Sequence, residues 1–483
     1  MSKPTNPKVP ATSSKVSSAS DPSASISSAS ASSSVPSSSP PSGEPEGESR
    51  SSRRNWLKGA GVAAAGIAAQ VGTAQAQPQA TRSANAGRRF KALVRYGTGL
   101  EVEELTLRPI GPREVLVQTE ASMACYSITP FALGNRDYRQ ATIMNHSGMG
   151  RVVEVGPKVE RAEVGDRVIV AGSPQCGVCY QCLRGRSDHC QFLRGADVHP
   201  IADRADGTPV QPMSALGGIS ELMVVAEEYT CPVFTDLPAE QLAMLADTSG
   251  TGLAACQNLT RVEPGDNVAV MGCGPLGLAA VQGARVMNAD QIIAVDPIPY
   301  RRELAMKVGA TMTLDPNDFT REGRRDGLVE RMRELCAAKT DRFYAGGMLA
   351  TSAGPDVVIE AVGGDQFVPK EVQGPDPNGI LPIRQAWEMA RLGGHIVLHG
   401  IGQRGEVAFP ASAFCIGGKT THAGQQGGLH MMRDLPRFVE LIEKGKFDAE
   451  SLVGRTYPLE QAREAFQAVA DRTVVSAVVV FGS

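Results

Sequence analysis

Apolar residues in residues 89–225 come in short bursts closed by Gly and Pro. Phe90-Lys91-Ala92-Leu93-Val94, Glu114-Val115-Leu116-Val117, Gly150-Arg151-Val152-Val153-Glu154-Val155 and Asp166-Arg167-Val168-Ile169-Val170 are of this kind. Runs this short, rich in β-branched residues and bounded by turn formers, predict strands. Together they predict a β-barrel-like domain. From about Leu237 the rhythm changes. Asn267-Val268-Ala269-Val270-Met271 reads as a buried strand, Leu276 to Met287 as a helix, and Gln291-Ile292-Ile293-Ala294-Val295 as a second strand. Further apolar runs follow at Asp356-Val357-Val358-Ile359 and His395-Ile396-Val397-Leu398. Strands spaced by helices predict a parallel, doubly wound sheet, so the fold class expected is α/β. From about Gly424 the chain returns to helix and strand, ending in Ala477-Val478-Val479-Val480-Phe481. Two polar or Gly-rich stretches, 337–353 and 363–380, read as surface insertions, with a lid or a subunit contact as the alternative.

The chain before Arg89 follows neither rhythm. Residues 1–51 are dominated by Ser, Pro and Ala and cannot bury enough surface to offset ordering entropy, which predicts disorder. Residues 52–76 read as a twin-arginine export signal. Ser52-Arg53-Arg54-Asn55-Trp56-Leu57-Lys58 is followed by a weakly apolar run from Gly59 to Val71, then by Ala74-Gln75-Ala76 as a cleavage signal before Gln77. The bland alternative is a chance arginine pair before an Ala-rich linker. Residues 77–88 are then a linker. The export reading predicts the periplasm as destination, with the cytoplasm as alternative, and the twin-arginine export machinery as a partner. The apolar run is too short to predict stable membrane insertion. Of 483 residues, roughly 400 remain for folded structure, which suggests two domains. A net charge of −3 gives no sign of a nucleic-acid partner.

Candidate chemistry lies in three places. Cys176, Cys179, Cys182 and Cys190 read C-x2-C-x2-C-x7-C, a spacing that lets one loop wrap four thiolates around a tetrahedral metal, most plausibly zinc. Disulfides are the alternative in an oxidising compartment, but metal loaded before export would cap the thiolates. Gly272-Cys273-Gly274-Pro275-Leu276-Gly277 lies between a predicted strand and a predicted helix. Its glycines suit a tight turn, close approach of a pyrophosphate and helix–strand packing, and the helix start offers free N–H groups to phosphate. Asp296, about 20 residues further on, ends the next predicted strand, where an acidic group favours NAD over NADP. Cys231, Cys256, Cys273, Cys336 and Cys415 show no ligand pattern.

The four-cysteine lobe, the GCGPLG turn and the order barrel-then-sheet resemble the zinc-dependent alcohol dehydrogenases of the medium-chain dehydrogenase/reductase superfamily. The resemblance covers essentially all of residues 89–483. It implies a GroES-like β-barrel catalytic domain at 89–250 carrying a zinc lobe at 172–195, a Rossmann NAD-binding domain at 251–423, and a C-terminal return to the catalytic domain at 424–483. It implies that the lobe zinc is structural. A catalytic zinc would then be held by Cys125, His146 and Asp247, with Ser127 matching a hydroxyl proton relay. Taken singly, Cys125 could be a buried apolar residue, His146 a core histidine, Asp247 a helix cap and Ser127 a helix-start hydrogen bond. The implied reaction is metal-assisted hydride transfer between an alcohol, polyol or aldehyde hydrate and NAD. Tyr126, Ile128, Ser147 and Ser476 depart from residues common in the family, which keeps open a non-catalytic zinc- and dinucleotide-binding protein. The carboxylate ligand and the insertions also resemble the formaldehyde dehydrogenase/dismutase branch, which implies tightly bound, recycled NAD. Homodimers and homotetramers are usual among such relatives.

Overall fold

The computed structural model describes residues 83–195, 198–319, 327–337, 353–364, 379–401, 405–409 and 411–482. The predicted leader, export signal and early linker, and nearly all of both predicted insertions, lie outside the described residues. Among the described residues no helix is long and apolar enough to cross a membrane.

The short apolar bursts form strands, as expected. Arg89–Gly97, Gly99–Leu107, Ala202–Asp203, Pro209–Pro212 and Tyr138–Ile143 close a barrel. A second sheet runs in the order Thr230–Pro232, Arg167–Val170, Gly148–Val155, Glu114–Met123, Ala477–Val480, Arg455–Pro458, with Leu222–Ala226 also pairing to Glu114–Met123. The last strand of the chain therefore belongs to the first domain: Val478 pairs with Met123 and Val480 with Ala121.

The alternating half forms a six-stranded parallel sheet. Numbered along the chain, its strands are β1 (Asn267–Met271), β2 (Gln291–Val295), β3 (Met312–Leu314), β4 (Val357–Glu360), β5 (His395–Leu398) and β6 (Thr420–His422). Their order across the sheet is β3-β2-β1-β4-β5-β6, so the connection direction reverses between β1 and β4. In a doubly wound sheet the crevice at that reversal, beyond the carboxyl ends of the strands, is where a dinucleotide binds. β1 and β2 are buried runs because helices cover both faces, which is why they show no alternation. Helix α1 (Pro275–Val286) starts on proline, whose missing N–H costs nothing at that position.

One apolar core joins both halves, from Met123, Met149 and Ile169 through Leu242, Leu253 and Leu278 to Val268 and Val397. Burying a side chain such as Leu278 contributes about 1.5–3 kcal/mol. This shared core fixes the position of the barrel residues against the carboxyl ends of β1, β4 and β5.

Candidate metal centres and cofactor crevice

Cys125, His146 and Asp247 come from three separate segments. Cys125 follows the strand Glu114–Met123, His146 lies between the strands Tyr138–Ile143 and Gly148–Val155, and Asp247 immediately precedes the helix Thr248–Ala254. Their ligand atoms nonetheless all lie within 4.8 Å of one another. Asp247 Oδ2 is 3.3 Å from His146 Nε2, yet it is buried and makes no well-formed hydrogen bond. Asp247 stands at a helix N-cap position, but its side chain makes no capping bond. The helix-cap alternative is therefore not what holds this carboxylate. Ser127 Oγ is 3.1 Å from Cys125 Sγ and 3.5 Å from His146 Nε2.

The electrostatics of the cluster are unusual for a core. Burial pushes the Cys125 thiol up, and the Asp247 charge adds to this. Burial alone would lower His146 and raise Asp247. Their mutual attraction outweighs it, so the imidazole sits well above its ordinary value and the carboxyl below its own. A thiol, an imidazole and a carboxylate converging with an unused oxygen suit zinc with a fourth position open, the arrangement of catalytic rather than structural sites.

Backbone detail explains how His146 is held. Asn145 has φ +79°, an uncommon conformation for a residue with a side chain. Its Nδ2 donates to Ser122 Oγ at 2.8 Å and to Met123 O at 2.9 Å, which ties the His146 loop to the strand end that leads to Cys125. Gln426, near φ +44°, donates from Nε2 to Ala246 O at 2.9 Å and also pulls the Asp247 carboxyl down. Neither residue stands out in the sequence. Asn145 carries a signal only as the neighbour of His146, and Gln426 carries none, since it lies far away in the chain.

The four lobe cysteines also converge. Cys176 Sγ is 4.0 Å from Cys182 Sγ, and Cys179 Sγ is 4.0 Å from Cys190 Sγ. All are free thiols. Four thiolates at the zinc–sulfur distance of about 2.3 Å would lie about 3.8 Å apart, close to what is seen and far from a disulfide bond. Backbone N–H groups of Cys176, Cys179, Cys182 and Gln191 donate to these sulfurs at 3.4–3.5 Å. Burial works against charge here too, but N–H donors from Gln191 and Cys182 pull Cys179 down to about 6. Burial and the neighbouring thiols Cys179 and Cys190 push Cys182 up to about 12. Only a bound cation makes all four thiolates at once. The set is closed, with no protein ligand missing.

The GCGPLG turn joins β1 to α1. Gly272 has φ +89°, and a Cβ on Gly277 would fall 1.8 Å from Gly272 O. A Cβ on Gly274 would meet nothing within 4 Å, so open space lies beside the turn where a pyrophosphate would approach. Pro275 and Leu276 open the helix. Asp296, just past β2, is buried, and its two oxygens accept from Cys273 N at 2.7 Å and Ile298 N at 2.8 Å. The carboxylate thus also braces the phosphate turn, a role the sequence does not suggest. Each oxygen keeps lone-pair capacity for a ribose hydroxyl.

The departures from family residues have places as well. Tyr126 lies under the Arg472 guanidinium, 4.0 Å from ring centre to Cζ. Ser476 is buried and donates to Leu452 O. Ser147 Oγ is buried without a partner, and Ile128 is core.

Comparison with known proteins agrees with this geometry. Residues 111–238 match the alcohol dehydrogenase GroES-like domain, and residues 275–444 match the zinc-binding dehydrogenase domain. An S-(hydroxymethyl)glutathione dehydrogenase of Photobacterium damsela subsp. piscicida is 30% identical over 400 residues, spanning 80% of this chain and 99% of the relative. The chain belongs to the zinc-dependent alcohol dehydrogenase family. An S-(hydroxymethyl)glutathione dehydrogenase of Escherichia coli O1:K1 / APEC is 29% identical over 387 residues, spanning 78% of this chain and 95% of the relative. Solved structures share the fold. An alcohol dehydrogenase zinc-binding domain protein from Burkholderia ambifaria superposes with TM-score 0.69 at 24% identity, over 82% of this chain and 100% of that one. Benzyl alcohol dehydrogenase from Acinetobacter calcoaceticus gives TM-score 0.66 at 24% identity, over the same shares of 82% and 100%. This family member is an oxidoreductase of CH–OH groups that uses zinc and NAD. Nothing in the comparisons favours the non-catalytic alternative.

Proposed function

We propose that Cys125, His146 and Asp247 hold the catalytic zinc, that Cys176, Cys179, Cys182 and Cys190 hold a structural one, and that the substrate is an alcohol, polyol or aldehyde hydrate. The observation that carries this is the convergence of three ligand atoms within 4.8 Å, one of them a buried carboxylate oxygen with no hydrogen bond. Zinc supplies Lewis acidity toward a substrate hydroxyl, and NAD supplies a hydride acceptor. The chain's residues do the rest. Asn145 and Gln426 orient the metal-holding segments. Ser127 Oγ, within reach of both Cys125 and His146 and only part-buried, would accept the substrate's hydroxyl proton as its own proton leaves to solvent water. The glycine turn and the start of α1 receive the pyrophosphate, and Asp296 the adenosine ribose.

The named activity of the relatives supports a hydroxyl on an aldehyde-derived carbon as one substrate class. A panel of simple alcohols, polyols and hydrated aldehydes, assayed for NADH formation and for dismutation without added NAD, tests it. No turnover in either assay from protein holding zinc at both sites would overturn it.

The arginine pair at Arg53-Arg54 with its apolar run and Ala74-Gln75-Ala76 supports export through the twin-arginine pathway to the periplasm. Free NAD is scarce there, which favours a retained, recycled dinucleotide. Denaturing protein from the periplasmic fraction should release NAD(H), and its absence would sink that part of the reading. The open edge strand β6 and the exposed Phe414 and Ile416 support a homodimer or homotetramer.

A further inference from the structure

His399 is the first residue past β5, and neither metal site nor the phosphate turn includes it. Its backbone N–H donates to Glu360 O at 2.9 Å, which holds it beside the carboxyl end of β4. The imidazole Nε2 is buried and has no hydrogen-bond partner among the described residues. Burial alone lowers its pKa to about 4, so the ring is neutral under ordinary conditions. A neutral imidazole has one donor and one acceptor nitrogen, and a buried one left without a partner is costly. Such an orphaned, buried ring nitrogen on a part-buried side chain calls for a missing partner.

The surroundings say which partner. The turns after β1, β4 and β5 touch one another. A Cβ on Gly272 would lie 3.1 Å from Ala361 C and O, and a Cβ on Gly400 would lie 2.1 Å from Gly363 N. His399, next to Gly400 at the end of β5, therefore sits among the turns that border the crevice at the reversal of strand order. The glycine turn receives the pyrophosphate, and Asp296 past β2 marks the adenosine side. A dinucleotide laid across the crevice must place its other half toward β4 and β5. The ring on that half carries a primary carboxamide, with both an N–H donor and a carbonyl acceptor, and either imidazole tautomer can pair with it. Glu360 does not compete for that role. Its Oε1 accepts from Val362 N and Gly363 N, both at 2.8 Å, and its Oε2 from Gly400 N at 3.3 Å. It braces the two turns that carry His399.

We infer that His399 Nε2 hydrogen-bonds the nicotinamide carboxamide of bound NAD and fixes the ring against β5. This rests on NAD being the cofactor of the crevice, and it makes His399 a positioning residue. The test compares two ligands that share everything except the nicotinamide. NADH and ADP-ribose are titrated against the zinc-loaded full chain, dialysed free of dinucleotide, in wild type, His399→Leu and His399→Gln. His399→Leu should weaken NADH by about tenfold, as expected for one buried hydrogen bond lost. ADP-ribose should bind all three proteins alike. His399→Gln, which keeps an amide donor and acceptor, should recover most of the NADH affinity. Equal losses for both ligands, or no loss for NADH, would overturn the inference, since the orphan would then serve only packing or an internal water. Wild type that binds neither ligand would instead overturn the NAD reading, and this inference with it.

Discussion

At the scale of single residues, the chemistry rests on side chains that burial alone would not choose. Asp247 is buried beside Cys125 and His146 with Oδ2 making no well-formed hydrogen bond, at a cap position it does not use for capping. Removing it should therefore empty one metal site and leave the other. Asp247→Ala is expected to lower zinc content from about two ions per chain to about one, because the closed cysteine lobe keeps its own. It should also cut kcat/KM by more than about 100-fold, since even outer-shell changes at such sites cost 10–100-fold. Elemental analysis beside steady-state rates checks this, and unchanged zinc would remove Asp247 from the ligand set. His399 gives a separate prediction for stability. Its folded pKa is about 4, against about 6.5 when unfolded. Between those values the unfolded chain binds more protons, so this residue favours folding above pH 6.5 and withdraws that support as pH falls toward 4. Urea midpoints of the dinucleotide-free protein should drop more from pH 7 to pH 5 in wild type than in His399→Gln. The difference should be about 2 kcal/mol. Carboxylates titrate alike in both proteins and cancel in that comparison.

At the scale of elements, β1, β2 and β5 coincide with apolar runs visible in the sequence, because a strand covered on both faces needs every side chain apolar. The helix of the cofactor turn starts one residue before the apolar pattern suggests, at Pro275, whose place in the first turn is set by backbone chemistry rather than periodicity. The short barrel strands Ala202–Asp203 and Pro209–Pro212 left no readable run. Their pairing is decided by partners distant in sequence. Cys125, His146 and Asp247, which the structure brings together, were each picked out by local motif context, whereas Gln426 and His399 take their proposed roles from contacts across the fold and could not be read locally. The turn itself separates two uses of glycine. Gly277→Ala puts a methyl 1.8 Å from Gly272 O, so it should lower stability by about 1–3 kcal/mol as well as weaken NADH. Gly274→Ala meets no chain atom within 4 Å. It should fold with an unchanged melting temperature yet lose at least about tenfold in NADH affinity, because its methyl occupies the space of the pyrophosphate. Thermal melts paired with NADH titrations distinguish the two variants, and tight NADH binding by Gly274→Ala would place the dinucleotide elsewhere.

At the scale of the whole molecule, the order of events matters. Of the proposed zinc ligands, Cys125 and His146 both lie more than a hundred residues before Asp247, so the proposed catalytic site cannot exist before the chain folds. The lobe thiols, if left bare in an oxidising compartment, would be open to disulfide formation. Both considerations fit the export proposed above, in which the protein folds and loads in the cytoplasm and then crosses as a finished unit. Replacing Arg53 and Arg54 together by Lys should therefore separate transport from assembly. The variant is expected to accumulate in the cytoplasm with its leader uncleaved. It should carry the same zinc and NAD content per chain and the same turnover as the wild type, which the proposed export places in the periplasm. Fractionation with metal and dinucleotide assays on each pool measures all of these together. A variant that stays inside but lacks zinc or activity would mean that loading follows transport, and a need to cross already folded and loaded would no longer account for the proposed export route.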